Sequence, residues 1–116
     1  MRVEVLYFEG CPTYRTTETL LRDVLAEAGI EAVVDLVRVD TNEEAEQLRF
    51  PGSPTIRVAG EDMFPVPERD AWALGCRTYQ TPEGLRGWPT REMIREALLL
   101  ATLYPVSRKT RCQRER

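Results

Sequence analysis

The chain has 116 residues, of which 42% are apolar and 30% are charged, and this composition fits one globular domain with one hydrophobic core. It contains no histidine, which excludes Ser-His-Asp and Cys-His catalytic sites and histidine-ligated zinc. Three cysteines are too few for the disulfide framework of a small secreted domain, so we expect reduced thiols and a cytoplasmic location.

The net charge of −3 is unevenly distributed. Residues 108–116 carry five basic side chains and one acidic one, so the rest of the chain is more acidic than the total indicates. An acidic body argues against nucleic-acid binding, and no segment is long and apolar enough to predict a membrane span. We predict one domain over residues 1–104 and a basic, solvated tail over residues 105–116, which contains Cys112.

The first half of the chain predicts a strand-helix-strand unit. Residues 2–8 are rich in Val, Tyr and Phe and predict a central strand buried on both sides. Pro12 suits the first helical position, and Gly29 suits the C-terminal cap. Residues 32–39 predict a second strand parallel to the first, reached by a right-handed crossover. The helix between them has an apolar stripe formed by Leu20, Leu21, Val24, Leu25 and Ala28.

The second half predicts a short helix, further strands and a last helix. Thr41 and Glu44 have capping-box spacing, which predicts a helix over residues 42–49. Residues 55–59 predict a third strand, whose antiparallel partner is either Met63-Phe64 or residues 76–80. Thr90 suits the cap of a helix over residues 91–103. Its face toward the sheet is predicted to contain Ile94, Ala97, Leu98 and Ala101.

Cys11 is the main candidate for a reactive group. It lies where the first strand gives way to the first helix, and the unpaired N–H groups and dipole of a helix start stabilise a thiolate. Arg15 and Arg57 are candidate cations near the sulfur, and the Tyr14 hydroxyl is a candidate donor to it. The alternative is that Cys11 is a small buried apolar residue of the core.

Two segments together carry a resemblance to a known fold: Gly10-Cys11-Pro12-Thr13-Tyr14 and Ser53-Pro54-Thr55-Ile56. Their order and spacing among the predicted elements resemble the thioredoxin-like fold, an α/β fold with a central mixed sheet flanked by helices. The resemblance covers about residues 1–103. It implies that the proline before the third strand is cis and abuts the cysteine. It also implies that Tyr14 and the Ser53, Pro54 and Thr55 backbone bind an extended thiol-bearing substrate.

The chain departs from the dithiol members of that fold because Tyr14 stands where they have a second cysteine. The resemblance therefore implies single-thiol chemistry through Cys11, as in monothiol thioredoxin-like and glutaredoxin-like redox proteins. A glutathione-like thiol or a distant cysteine would then resolve the mixed disulfide, and Cys76 is the predicted resolving residue. A disulfide between the two requires Cα atoms within about 7 Å, which the sequence alone does not give.

A second resemblance gives an alternative function. With the two segments above, Leu74-Gly75-Cys76-Arg77-Thr78-Tyr79 is similar to small bacterial thioredoxin-fold proteins labelled organomercurial-lyase-like. This likeness implies that Cys11 and Cys76 handle Hg(II) or another soft metal, because thiolates are soft ligands. The true lyases also use an aspartate as proton donor, and Asp62 and Asp70 are the aspartates in the connecting region.

The third possibility is a binding module without catalysis. The Leu98-Leu99-Leu100 run in the last helix indicates burial beyond one stripe, and it or an exposed sheet edge could form a homodimer. Trp72 and Trp88 would line a groove beside Cys11 or close a small satellite core. We predict no bound cofactor and no metal site, and the expected partner is a thiol-containing small molecule or protein.

Overall fold

A computed structural model of the chain describes residues 1–68 and 70–103. It confirms the predicted order of elements and adds a hairpin before the last helix. The elements are β1 (Arg2–Tyr7), α1 (Thr13–Ala28), β2 (Val33–Arg38), α2 (Asn42–Leu48), β3 (Thr55–Val58), β4 (Glu61–Asp62), β5 (Tyr79–Thr81), β6 (Gly84–Arg86) and α3 (Arg91–Leu103). The predicted tail and Cys112 lie outside the described residues.

The main sheet is mixed and has four strands in the order β2-β1-β3-β4. β1 pairs with β2 in parallel and with β3 antiparallel, and β4 returns antiparallel to β3. The predicted central position of β1 is confirmed, with Val3, Val5 and Leu6 buried. β2 is an edge strand, and the side chains of Val33 and Leu36 are exposed although the segment is almost continuously apolar.

Local sequence signals fix the helix ends. Gly29 has a positive φ of 68° and closes α1 by donating its N–H to Ala26 and Leu25 carbonyls, as predicted. Thr41 and Glu44 form both bonds of the predicted capping box at α2. Thr90 accepts the N–H of Met93 at the start of α3, so this cap is also confirmed. Pro12 is the N-cap residue of α1, one position before the predicted one.

The two faces of the sheet bury separate clusters of apolar side chains. Helices α1 and α3 cover the face that carries Val3, Val5 and Ile56, and α2 covers the face that carries Leu6. This alternation follows from the period of two along a strand. The predicted stripes are buried in their central parts, which are Leu21, Val24 and Leu25 in α1 and Ile94, Leu98 and Ala101 in α3.

Three apolar residues of the predicted helix faces are exposed in the single chain. Two of them are Leu99 and Leu100 of α3, so burial of the leucine run beyond one stripe stays a prediction that depends on a homodimer. The reason for their exposure is geometric, because successive helical residues are 100° apart and only Leu98 faces the core. Ala28, at the end of the α1 stripe, is also exposed.

The segment after β3 resolves the alternatives for its hairpin partner. β4 pairs with β3, and the Met63 N–H donates to the Ile56 carbonyl just beyond it, at 2.8 Å. Cys76 instead forms an isolated parallel bridge to Ser53, on the other side of the turn before β3. β5 and β6 make a separate two-stranded sheet.

Within residues 1–68 and 70–103, no helix has the length and apolarity needed to cross a bilayer.

Candidate functional site: two thiols beside the Ser53-Pro54 segment

Cys11 lies in the turn between β1 and α1. Its N–H donates to the Phe8 carbonyl at 3.1 Å, which places the side chain under the start of the helix. The side chain is only 2% exposed. Its sulfur lies 3.1 Å from the Thr13 hydroxyl and donates to the Ser53 carbonyl at 3.4 Å. The predicted proximity of the cysteine to the proline segment is therefore present in the structure.

Residues 51–55 form a buried turn that leads into β3. The Ser53-Pro54 peptide bond is cis, as the resemblance implied, and Ser53 and Thr55 are fully buried. The Thr55 hydroxyl donates to the Gly52 carbonyl at 2.6 Å and fixes the turn. This geometry brings the Ser53 backbone against the Cys11 sulfur.

Cys76 lies on the extended segment that runs alongside Ser53. The Ser53 N–H donates to the Gly75 carbonyl at 2.8 Å, and the Arg77 N–H donates to the Ser53 carbonyl at 2.9 Å. The hydrogen bonds of Gly75 and Arg77 thus fix the backbone on both sides of Cys76, whose side chain is exposed. The Cys11 thiol and the backbone of residues 75–77 therefore meet at Ser53, which brings together two cysteines that are 65 positions apart in sequence.

The surroundings of the two sulfurs separate their proton affinities. Burial raises the pKa of Cys11, but hydrogen bonds from the Thr13 side chain, the Thr13 N–H and the Cys76 thiol outweigh it, so the pKa falls below the ordinary 9.0. By geometry the buried Ser53 hydroxyl has no hydrogen-bond partner within the described residues, so we assign it no part in lowering the pKa of Cys11. The hydrogen bond to Cys11, followed by burial and the Cys11 charge, raises the pKa of Cys76. Cys11 is therefore the more acidic of the two thiols, and its ionised form would accept a hydrogen bond from Cys76.

A buried arginine holds the segment that carries Cys76. The Arg77 side chain is 6% exposed, and its guanidinium pairs with Asp62 at 2.9 Å and donates to the Thr55 hydroxyl at 3.1 Å. It also donates to the Phe64 carbonyl and lies over the Tyr79 ring, 4.6 Å from the centroid. One side chain therefore joins β3, β4, the following loop and β5.

Tyr79 completes this support. Its hydroxyl donates to the Pro54 carbonyl at 2.5 Å, and its ring meets Phe64 edge-on at 5.5 Å. Burial raises the pKa of Tyr79, so its phenol stays protonated and remains a donor. Arg77 thus bonds to the Thr55 hydroxyl, and Tyr79 bonds to the Pro54 carbonyl. These two bonds attach the Ser53-Pro54 segment to the part of the chain around Arg77 and Tyr79.

Other predicted candidates take different places. Tyr14 is buried and stacks on Tyr7 with centroids 4.0 Å apart, and Arg15 lies over the Tyr14 ring. Arg57 donates to the carbonyls at the end of α2, Leu48 and Arg49, so its cation serves that helix end. Neither predicted arginine is among the groups that shift the pKa of Cys11.

The remaining predicted candidates are Trp72, Asp62 and Asp70, which all lie between β3 and β5. Trp72 is buried, and its backbone N–H donates to the Glu46 carboxylate at 3.2 Å. Together with Pro51 and Arg57, Trp72 lines an open cavity of about 240 Å³. Both carboxylate oxygens of Asp62 are engaged, one by Arg77 and the other by the Phe64 N–H at 2.8 Å. Asp70 is exposed. Among residues 1–68 and 70–103, no group of three or more His, Cys, Asp or Glu side chains could hold a metal ion.

Two residues at the site have roles that were not predicted from the sequence, Thr13 and Arg77. Thr13 supplies two of the hydrogen bonds that lower the pKa of Cys11, and its signal is a hydroxyl two positions after a helix-start cysteine. Arg77 had no such signal, because an arginine beside one cysteine in a turn-rich stretch is ordinarily a surface charge. Its burial depends on Asp62, 15 residues earlier, and on a strand pairing that periodicity does not reveal.

No family model matches the chain, and neither a curated protein nor a solved structure does. The fold shown is mixed α/β, with a four-stranded mixed sheet and three helices.

The separated proton affinities predict a two-step thiol titration. In a Cys112→Ser variant, one thiolate should appear at pH values below 9.0 and the second above it, because Cys11 and Cys76 share one proton. Cys76→Ala should move the first step upward by removing a donor to Cys11. Ultraviolet absorbance of the thiolates measures both steps, with the variant lacking all three cysteines as the blank. A single step near 9.0 for both thiols would contradict this arrangement.

Proposed function

We propose that this chain is a thiol–disulfide redox protein in which Cys11 and Cys76 are the exchanging pair. The convergence of the two cysteines on Ser53 carries the proposal: the buried Cys11 thiol donates to the Ser53 carbonyl, and the exposed Cys76 is bridged to Ser53 from the neighbouring segment. The pKa values of the two thiols shift in opposite directions, which indicates that each thiol acts on the other. Cys76 can thus serve as the second thiol of the pair although it is distant from Cys11 in sequence.

We also propose that the mixed α/β fold is thioredoxin-like. Three features support this: the cysteine at the start of α1, the cis-proline immediately before β3, and the order of strands with β1 between β2 and β3. The hairpin β5–β6 and the irregular stretch before it are additions to that plan. A site rather than a fold defines an activity, so the function depends on the thiols and not on this likeness.

The reaction is a two-electron exchange. Oxidation joins the Cys11 and Cys76 sulfurs in one disulfide, and a partner disulfide gains the two electrons and becomes two thiols. The expected partner is a thiol-containing small molecule or protein. A low pKa favours Cys11 as a leaving group, so the Cys11–Cys76 disulfide should be reduced readily by added thiols.

The mercury alternative has partial support in the same pair. Two adjacent thiols suit a soft two-coordinate ion such as Hg(II). Cleavage of a carbon–mercury bond also needs a proton donor, and Asp62 is bonded to Arg77 and Phe64. The geometry therefore favours soft-metal binding over lyase chemistry. The homodimer stays a prediction, with Leu99 and Leu100 exposed on α3.

The test is the oxidation of the reduced protein, in a Cys112→Ser background, by a glutathione redox buffer. We expect one intramolecular disulfide, mapped by mass spectrometry to the peptides of Cys11 and Cys76. Exchange activity with a disulfide substrate should fall to the uncatalysed rate in Cys11→Ser and Cys76→Ser, while Ser107→Ala retains it as a matched control. An oxidised protein with no Cys11–Cys76 disulfide would refute the proposal.

A further inference from the structure

We propose that an external disulfide exchanges at Cys76, and that Cys11 is the buried cysteine that resolves the mixed disulfide. This is the reverse of the order predicted from the sequence, in which Cys11 attacks and Cys76 resolves. The inference rests on the proposed redox function and assigns its substrate class: low-molecular-weight disulfides that reach an exposed thiol.

The two sulfurs differ in their accessibility to an external molecule. An exchanging sulfur must be approached along the axis of the bond that breaks, so an external molecule needs open space at the sulfur it attacks. The Cys11 side chain is almost fully enclosed by Thr13, Ser53 and Cys76, whereas the Cys76 side chain is exposed. The outer thiol therefore meets the substrate first, although the inner one is the better thiolate.

The backbone groups of Ser53, beside Cys11, are already hydrogen-bonded within the chain. An extended peptide could be held there only by free N–H and carbonyl groups, as in strand addition. The Ser53 N–H is bonded to the Gly75 carbonyl, and the Ser53 carbonyl accepts the Arg77 N–H. The chain's own Gly75–Arg77 segment occupies the position in which a substrate strand would pair. A small disulfide needs no such pairing.

The Arg77 contacts keep this segment in place. Its guanidinium is bonded to Asp62, Thr55 and the Phe64 carbonyl, and each bond would be lost if the segment swung away. The covering strand is thus part of the packed structure. A polypeptide substrate would have to displace a buried arginine to reach Ser53, and a small molecule at Cys76 would not.

The exchange with the small disulfide takes place in three steps. Cys76 attacks one sulfur of the small disulfide, its proton passes to the Cys11 thiolate beside it, and the first small thiolate leaves. That thiolate takes the proton from Cys11 and departs as a thiol. The Cys11 thiolate then attacks the Cys76 sulfur, forms the Cys11–Cys76 disulfide and releases the second small thiolate. The small disulfide is reduced by two electrons, and the protein dithiol is oxidised by two.

The experiment traps the intermediate with glutathione disulfide in a Cys112→Ser background. Cys11→Ser and Cys11→Ala, which keep only Cys76, should accumulate a stable mixed disulfide with glutathione. Cys76→Ser, which keeps only Cys11, should form one at least about tenfold more slowly in its folded state. Intact-mass spectrometry follows the adducts, peptide mapping assigns the sulfur, and thermal melts establish that each variant is folded.

The outcomes separate this inference from the proposed function. Faster adduct formation in Cys76→Ser than in both Cys11 variants overturns the order of attack, while the wild-type Cys11–Cys76 disulfide would still support the redox function. If the wild type forms no such disulfide, the proposed function fails and the inference with it. Equal adduct rates for the two single-thiol proteins also overturn the inference, because burial of Cys11 would then not control access.

Discussion

Arg77→Met should destabilise the protein by about 3–5 kcal/mol, the usual result of removing one partner from a buried ion pair. The Arg77 side chain is 6% exposed and its partner carboxylate on Asp62 is 15% exposed, so solvent compensates little for the loss. The Thr55 hydroxyl and the Phe64 carbonyl lose a donor as well. Urea or guanidinium unfolding measures the change in the free energy of unfolding.

A double-mutant cycle separates the pair from the packing around it. Asp62→Asn alone should also destabilise, but adding it to Arg77→Met should cost less than the sum, since no uncompensated carboxylate is left buried. Arg22→Ala is the matched control because its ion pair with Glu18 lies on the exposed face of α1. It should cost about 0.5 kcal/mol or less. Additive effects of Arg77→Met and Asp62→Asn would contradict the importance of the pair.

The regular elements were the predictable part of this fold. Their signals are local: Thr41 and Glu44 are three residues apart, Gly29 directly follows its helix, and four of the six residues of β1 are apolar or aromatic. Hydrophobic period cannot say which strand lies at an edge, because it reports apolar content and not the number of neighbours. The edge strand β2 illustrates this, as Val33 and Leu36 belong to an apolar segment that has a partner strand on one side only.

The candidate site was predictable in its residues but not in its arrangement. Cys11, Cys76 and the Ser53-Pro54 segment could be singled out by type and position, and the structure brings them together. Their relative exposure could not, because it depends on the path of residues 65–68 and 70–78, which contain almost no regular structure. Pairing of Ser53 with the segment around Cys76 buries one thiol and exposes the other.

Gly52→Ala should destabilise the protein by about 2–3 kcal/mol, through backbone strain and a steric clash together. Gly52 has a φ of +129°, which side-chain-bearing residues rarely adopt. A Cβ at this position would lie 2.8 Å from the Arg77 Cβ and 3.1 Å from its Cα and N. Because these are backbone and near-backbone atoms, rotation of a side chain cannot relieve the contact.

The same substitution should alter the thiols, because the clash pushes residues 75–77 away from Ser53. Loss of the hydrogen bond from Cys76 would raise the pKa of Cys11 toward its ordinary value, which thiolate absorbance detects in the folded protein. Gly60→Ala is the matched control, since Gly60 also has a positive φ, of 84°, but an added Cβ meets nothing within 4 Å. It should cost about 1 kcal/mol and leave the thiol titration unchanged. If both variants lose the same stability and titrate like the wild type, the close approach of Gly52 to Arg77 does not hold the two thiols together.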